Sequence, residues 1–88
     1  MTDPEVIEAA NKALAEEFEL DVDRFRPEAR FKEDLELDSL DVVDMVIVLE
    51  KTFQIKIERN SSIMDIRTVG DMHQFIIAKK RALEEQAE

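Results

Sequence analysis

The stretch EDLELDSLDVVDMVIVLE, Glu33 to Glu50, joins a run of acids to a run of apolar residues across one serine, Ser39. Asp38 has the chemistry of a helix N-cap, and Asp41 stands three residues on, where a capping box places its acid. These signals predict a helix from Asp38-Ser39 to about Thr52 or Phe53. At about 100° per residue, Val43, Asp44, Ile47 and Lys51 fall within about 60° of Leu40, while Val42, Met45, Val46, Leu49 and Phe53 gather opposite. An amphipathic helix needs one apolar stripe. The second, which mixes Leu40, Val43 and Ile47 with Asp44, has two readings: a helix enclosed on nearly all sides, or a face that docks a partner through apolar contact and acidic steering.

Asp38, Asp41 and Asp44 follow at i, i+3 spacing. Each like-charge pair costs about 0.2–0.5 kcal/mol on an exposed helix, and an acid in the first turn regains about 0.3–1 kcal/mol from the dipole. Asp38 and Asp41 can break even on those terms. Asp44 lies too far along to benefit, which suggests that it faces something positive.

Ser39 has several readings of its own. A calcium loop would use Asp34, Glu36 and Asp38 as first, third and fifth ligands, but Ser39 stands where such a loop needs glycine and Met45 where it needs glutamate. No specific metal site is expected. A serine nucleophile would need a base; the single histidine, His73, falls on a different helix and reads as a surface or boundary residue. A cap is the remaining structural role, and Asp38 already fills it. Ser39 is then the first helical residue with its hydroxyl free, where a phosphate ester would be favoured by the helix N-terminus.

Working outward, Thr2 or Asp3 can cap a first helix with Pro4 in its first turn, and Ile7, Ala10, Leu14 and Phe18 recur on one face until about Glu19 or Leu20. The pattern then breaks from Asp21 to Leu37, with Phe25, Phe31 and Leu35 expected to pin the segment to the core and a short turn expected after Pro27. FQIKI, Phe53 to Ile57, alternates but has no partner strand and reads as an extended connection. Ser61 or Ser62 can start a short helical turn holding Ile63, Met64 and Ile66. Thr68 caps a last helix with Asp71 three residues on and Val69, Met72, Phe75 and Ile76 as its stripe. Lys79, Lys80 and Arg81 come late in that helix, where they would suit its dipole, and about residues 83–88 read as a frayed tail.

The bulk numbers agree with one small helical domain spanning 1–88. The chain has 88 residues, of which 39% are charged against roughly 25% in an average domain, and a net charge of −10. That balance disfavours nucleic acid and anionic membranes and favours partners with basic patches. The absence of cysteine excludes disulfides and thiolate chemistry and is compatible with a reducing cytoplasm. MTDPEVIEAA does not read as a signal peptide, and MVIVL, Met45 to Leu49, is too short to span a bilayer.

DSLD opening an apolar-acidic helix, the LEKTF ending, the segment RPEARFKEDLELDSLDVVDMVIVLEKTFQIKI and the later TVGDMHQFI together resemble an acyl carrier protein over most of the chain. The resemblance implies an all-α four-helix bundle with a short third helix and a long loop between helices 1 and 2. It implies that Ser39 carries 4′-phosphopantetheine, added from coenzyme A by a phosphopantetheinyl transferase using Mg²⁺, with Asp38, Leu40 and Asp41 flanking it. It implies a monomeric, non-catalytic carrier whose acyl groups ride as thioesters and whose Val43, Asp44, Ile47 and Glu50 are read by acyl-processing enzymes. Met45, Leu49, Ile57, Ile66 and Met72 are candidates to line an acyl chain.

Two departures bear on the pathway. Glu36 stands where this family usually has glycine, and ERNSS, Glu58 to Ser62, carries Arg59 in a segment that is usually acidic in fatty-acid carriers. Fatty-acid synthesis and a specialised lipid, polyketide or lipopolysaccharide-type role both stay open. So do a carrier of activated amino acids and an acidic helical interaction module that is never modified.

Overall fold

The structure is a computed structural model that describes residues 2–57, 63 and 65–86. Among these, three α-helices and no strand form: α1 (Asp3–Glu17), α2 (Ser39–Phe53) and α3 (Val69–Gln86), with a 3-10 turn at Val22–Arg24 between the first two. The expected turn at 61–66 and the ERNSS departure lie mostly outside the described residues. Within it, the Ile66 N–H donates to the Ile63 carbonyl at 3.1 Å.

Each helix begins on a reciprocal side-chain cap. Thr2 Oγ1 accepts from the Glu5 amide and the Glu5 carboxylate accepts from the Thr2 amide. Asp38 accepts from the Leu40 and Asp41 amides while Asp41 accepts from Asp38. Thr68 and Asp71 repeat the arrangement before α3. These bonds satisfy amide donors that a helix cannot pair within itself.

The buried face of α1 is centred on Val6, Ala10 and Leu14 rather than on Ile7; Ile7 and Phe18 are half-buried at its margins. The difference is a rotation of the stripe by less than one residue step, which spacing alone does not resolve. Met45, Val46, Leu49 and Phe53 of α2 close against α1, and Val69, Met72 and Ile76 of α3 complete the core. Glu19 and Gln54, both at positive φ, end α1 and α2: the Leu20 amide returns to Ala15 and the Ile55 amide to Glu50.

Phe25, Phe31 and Leu35 are buried, as the sequence predicts, and the Ala29 amide closes a turn back to Arg26 around Pro27. This connection is also tied to the start of α3. The Val69 and Gly70 amides donate to the Ala29 and Pro27 carbonyls at 2.9 Å each, and the Phe31 amide donates to Arg67 at 3.0 Å. Two first-turn donors of α3 are thereby satisfied by chain forty residues away. Gly70 permits this approach, because a Cβ there would stand 2.9 Å from the Pro27 carbonyl oxygen.

Two expectations are corrected. Lys79, Lys80 and Arg81 do not lie in the last turn of α3, because the helix continues to Gln86. They act through contacts instead: Lys79 and Lys80 sit over the Phe75 and Phe53 rings, and Arg81 pairs with Asp3 at 2.6 Å, linking α3 to the start of α1. His73 is not a surface residue. It is buried between α3 and α1, with Nε2 2.6 Å from Asn11 Oδ1.

Candidate functional site

Ser39 is the first residue of α2 and is exposed. Capping is done by its neighbours: the Asp38 carboxylate holds two amides and Asp41 holds the Asp38 amide. Among the described residues no group bonds the Ser39 hydroxyl, so it is available at a helix N-terminus that favours negative charge.

The two faces of α2 separate as its periodicity predicts. Leu40 is 76% exposed and Val43 41%, Asp44 is exposed, and Ile47 is half-buried beside them. Leu40 and Val43 thus contribute apolar area to solvent on the side of α2 opposite the core. Glu50 differs from Asp44. It is half-buried, and its Oε2 accepts from the Ile57 amide at 2.9 Å, holding the chain that leaves α2. Asp38, Ser39, Leu40, Val43 and Asp44 are exposed along the start and outer side of α2, Asp41 and Ile47 are half-buried beside them, and Glu50 is held in a structural contact.

Beside Ser39 opens a cleft of about 630 Å³, walled by Phe31, Leu37, Val42, Ile63 and Ile66. Arg30, Lys32 and Arg67 also line it. Of the five residues put forward to line an acyl chain, Ile66 alone is on this wall; Met45, Leu49, Ile57 and Met72 are sealed in the core. Phe31 and Leu37, from the irregular connection before α2, and Ile63, from the segment before α3, were missed because neither path carries a periodicity that shows them meeting. The one signal for Phe31 and Leu37 was the recurrence of bulky apolar residues at 31, 35 and 37.

Among the described residues no three of Asp, Glu, His and Cys converge, and the Asp34 carboxylate is engaged by the Arg30 amide. His73 is held by Asn11 and is absent from the cleft wall, and burial pushes its pKa down.

An exposed serine thus stands at the head of a helix, next to a cleft lined by both apolar and charged side chains. Comparison with known proteins defines the class of protein. Residues 11–76 match the family described as phosphopantetheine attachment site. The acyl carrier protein of Helicobacter hepaticus is 38% identical over 86% of this chain and 99% of its own length. That of Onion yellows phytoplasma is 40% identical over 76% of this chain and 87% of its own. The solved acyl carrier protein of Enterococcus faecalis superposes with a TM-score of 0.70 at 29% identity, covering 90% of this chain and 99% of that one. The chain belongs to the acyl carrier protein family, and its cofactor is 4′-phosphopantetheine.

Proposed function

We propose that Ser39 is the attachment residue and that the chain is a non-catalytic carrier, one domain over 1–88, modified by a phosphopantetheinyl transferase. When bound, the group supplies the terminal thiol on which acyl groups are held as thioesters, in a chain that has no cysteine of its own. The observation that carries this reading is the free, exposed Ser39 hydroxyl at the first position of α2, with its capping role taken by Asp38. Asp38, Leu40 and Asp41 flank the attachment point. Leu40, Val43, Asp44 and Ile47 form the surface read by acyl-processing enzymes with basic patches, with Glu50 fixing the end of that helix. The carrier acts as a monomer in a reducing cytoplasm, the compartment that keeps such a thiol free.

The test is intact mass after incubation of the apo protein with coenzyme A, Mg²⁺ and a broad-specificity phosphopantetheinyl transferase. The wild type gains one phosphopantetheine and Ser39→Ala gains none. No gain with an active control carrier would sink the proposal and leave an unmodified interaction module. Loading assays with acyl versus aminoacyl donors then separate a lipid-type carrier from a carrier of activated amino acids.

A further inference from the structure

The outer side of α2 does not keep one sign of charge along its length. Asp38, Asp41 and Asp44 occupy its first half, and the next charge on that side is Lys51. Glu50, between them in sequence, is half-buried and turned to the Ile57 amide. Asp44 and Lys51 are both exposed. Seven residues nearly close two turns, so they stand about 20° apart around the helix and about 10 Å apart along it. Both line a crevice of about 250 Å³ where the end of α1 meets α2, with Glu17, Ile47, Val48 and Thr52 as the rest of its wall. The residues three and four positions from Lys51 are Ile47, Val48, Gln54 and Ile55, and those around Asp44 are Leu40, Asp41, Ile47 and Val48. Neither charge therefore has an opposite one at helical pairing distance. Among the described residues, no ion pair reaches Glu17, Asp44 or Lys51. The helix dipole favours a cation in the last turn of α2. It acts at every azimuth of that turn, however, and does not select the outer side.

We propose that the outer side of α2 is read as a bipolar surface and that Lys51 is its specificity-determining residue. The phosphopantetheinyl transferase of the same cell sets a basic side chain against Asp44 and a carboxylate against Lys51, about 10 Å further from Ser39 along the helix. Ile47 is the apolar contact between the two. The inference rests on the reading of Ser39 as the attachment residue and of this side of α2 as the docking surface. It adds a requirement that a uniformly basic patch does not meet, because a second cation facing Lys51 is repelled at contact distance. An opposed pair of charges also fixes direction. A partner docked the other way along α2 would place base on Lys51 and acid on Asp44, and would lose both contacts.

The experiment is steady-state transfer of phosphopantetheine from coenzyme A by that transferase to the wild type, Lys51→Glu, Lys51→Gln, Lys51→Arg, Lys12→Glu and Asp44→Lys, with a melting temperature for each. Long-range steering and local complementarity predict opposite signs for Lys51→Glu. The substitution makes the chain more acidic, which draws a basic enzyme more strongly, yet it sets carboxylate against carboxylate at contact. We expect kcat/KM to fall several-fold through KM, with kcat retained. Lys51→Gln, which removes the charge without reversing it, falls less, and Lys51→Arg restores the wild-type value. Lys12→Glu makes the same charge change at an exposed position on α1, in a separate cleft with Glu8, Glu16 and Val22, and leaves kcat/KM equal or raised. An equal or raised kcat/KM in Lys51→Glu overturns the proposal, and so does a matching fall in Lys12→Glu. Asp44→Lys separates this failure from that of the docking surface. If Asp44→Lys alone lowers kcat/KM, the surface takes a uniformly basic patch and only the bipolar reading is lost. If Asp44→Lys is also silent, the docking surface itself is lost. Absence of any modification of the wild type removes the attachment reading and this one with it.

Discussion

The chain has one glycine, and among the described residues three non-glycine positions have positive φ: Glu19 (55°), Glu36 (58°) and Gln54 (54°). Gly70 itself has no positive φ; it serves close approach to Pro27 instead. Glu36, two residues before Asp38, thus adopts the backbone for which glycine is the easier residue. A left-handed conformation costs a side-chain-bearing residue about 1–2 kcal/mol, and glycine loses about 0.5–1 kcal/mol more chain entropy on folding. Glu36→Gly should therefore stabilise the protein by about 0.5 kcal/mol, read as a higher urea midpoint with an unchanged m-value. A lower midpoint would mean that the Glu36 side chain makes a contact outweighing the strain. Gly70→Ala should move the other way. Its methyl would meet backbone oxygen, which cannot rotate aside, and overpacking of this kind costs about 1–3 kcal/mol against a helix-propensity gain of at most about 1 kcal/mol. A net loss of about 1 kcal/mol is expected; an unchanged midpoint would show that the 27–31 segment can move away from α3.

Among the elements, α2 separates a buried side from an exposed one along a single helix, and the exposed side is the docking surface proposed above. Its core side, Met45, Val46, Leu49 and Phe53, is closed, and its outer side presents Leu40, Val43 and Asp44. Asp44→Lys changes the charge of the outer side while leaving the core and the Asp38–Asp41 cap untouched. The melting temperature should stay close to that of the wild type, since exposed charges contribute little, while transferase kcat/KM falls several-fold and the salt dependence of the reaction weakens. Equal kinetics would remove Asp44 from the docking surface. The legibility of the sequence follows the same division. The start, end and two faces of α2 were readable because caps and periodicity are local signals. The attachment of 27–31 to the start of α3 was not, because it consists of backbone bonds from Val69, Gly70 and Phe31 that no side-chain pattern encodes. With it went the cleft, which Phe31 and Leu37 enter from the connection before α2 and Ile63 from the segment before α3. Glu50 shows the converse case: the family resemblance put it among the residues read by partners, but its carboxylate reaches the Ile57 amide.

For the molecule as a whole, the balance between an acidic surface and a buried histidine sets the response to pH. His73 lies between α3 and α1 against Asn11, and desolvation holds its pKa below the ordinary value. The folded state then binds a proton less readily than the unfolded chain. Above about pH 6.5, the ordinary histidine pKa, both states are neutral and His73 contributes no pH dependence. As the pH falls below that value the unfolded state takes up the proton first, so stability falls. The surface carboxylates act on a different window. Hydrogen bonds from Thr2 hold the Glu5 carboxyl below its usual 4.5, so any stability from that cap is present above the ordinary value and is lost as the pH falls further, through the depressed folded value. Protonation of the many other acids relieves self-repulsion in the same acidic range. Between about pH 7 and 5 the histidine should therefore dominate. His73→Gln keeps a donor for Asn11 and removes the titration, so the wild-type melting temperature should drop relative to the variant as the pH is lowered through this window. Parallel curves for the two proteins would show that the ring becomes solvated on protonation without disturbing the α1–α3 contact.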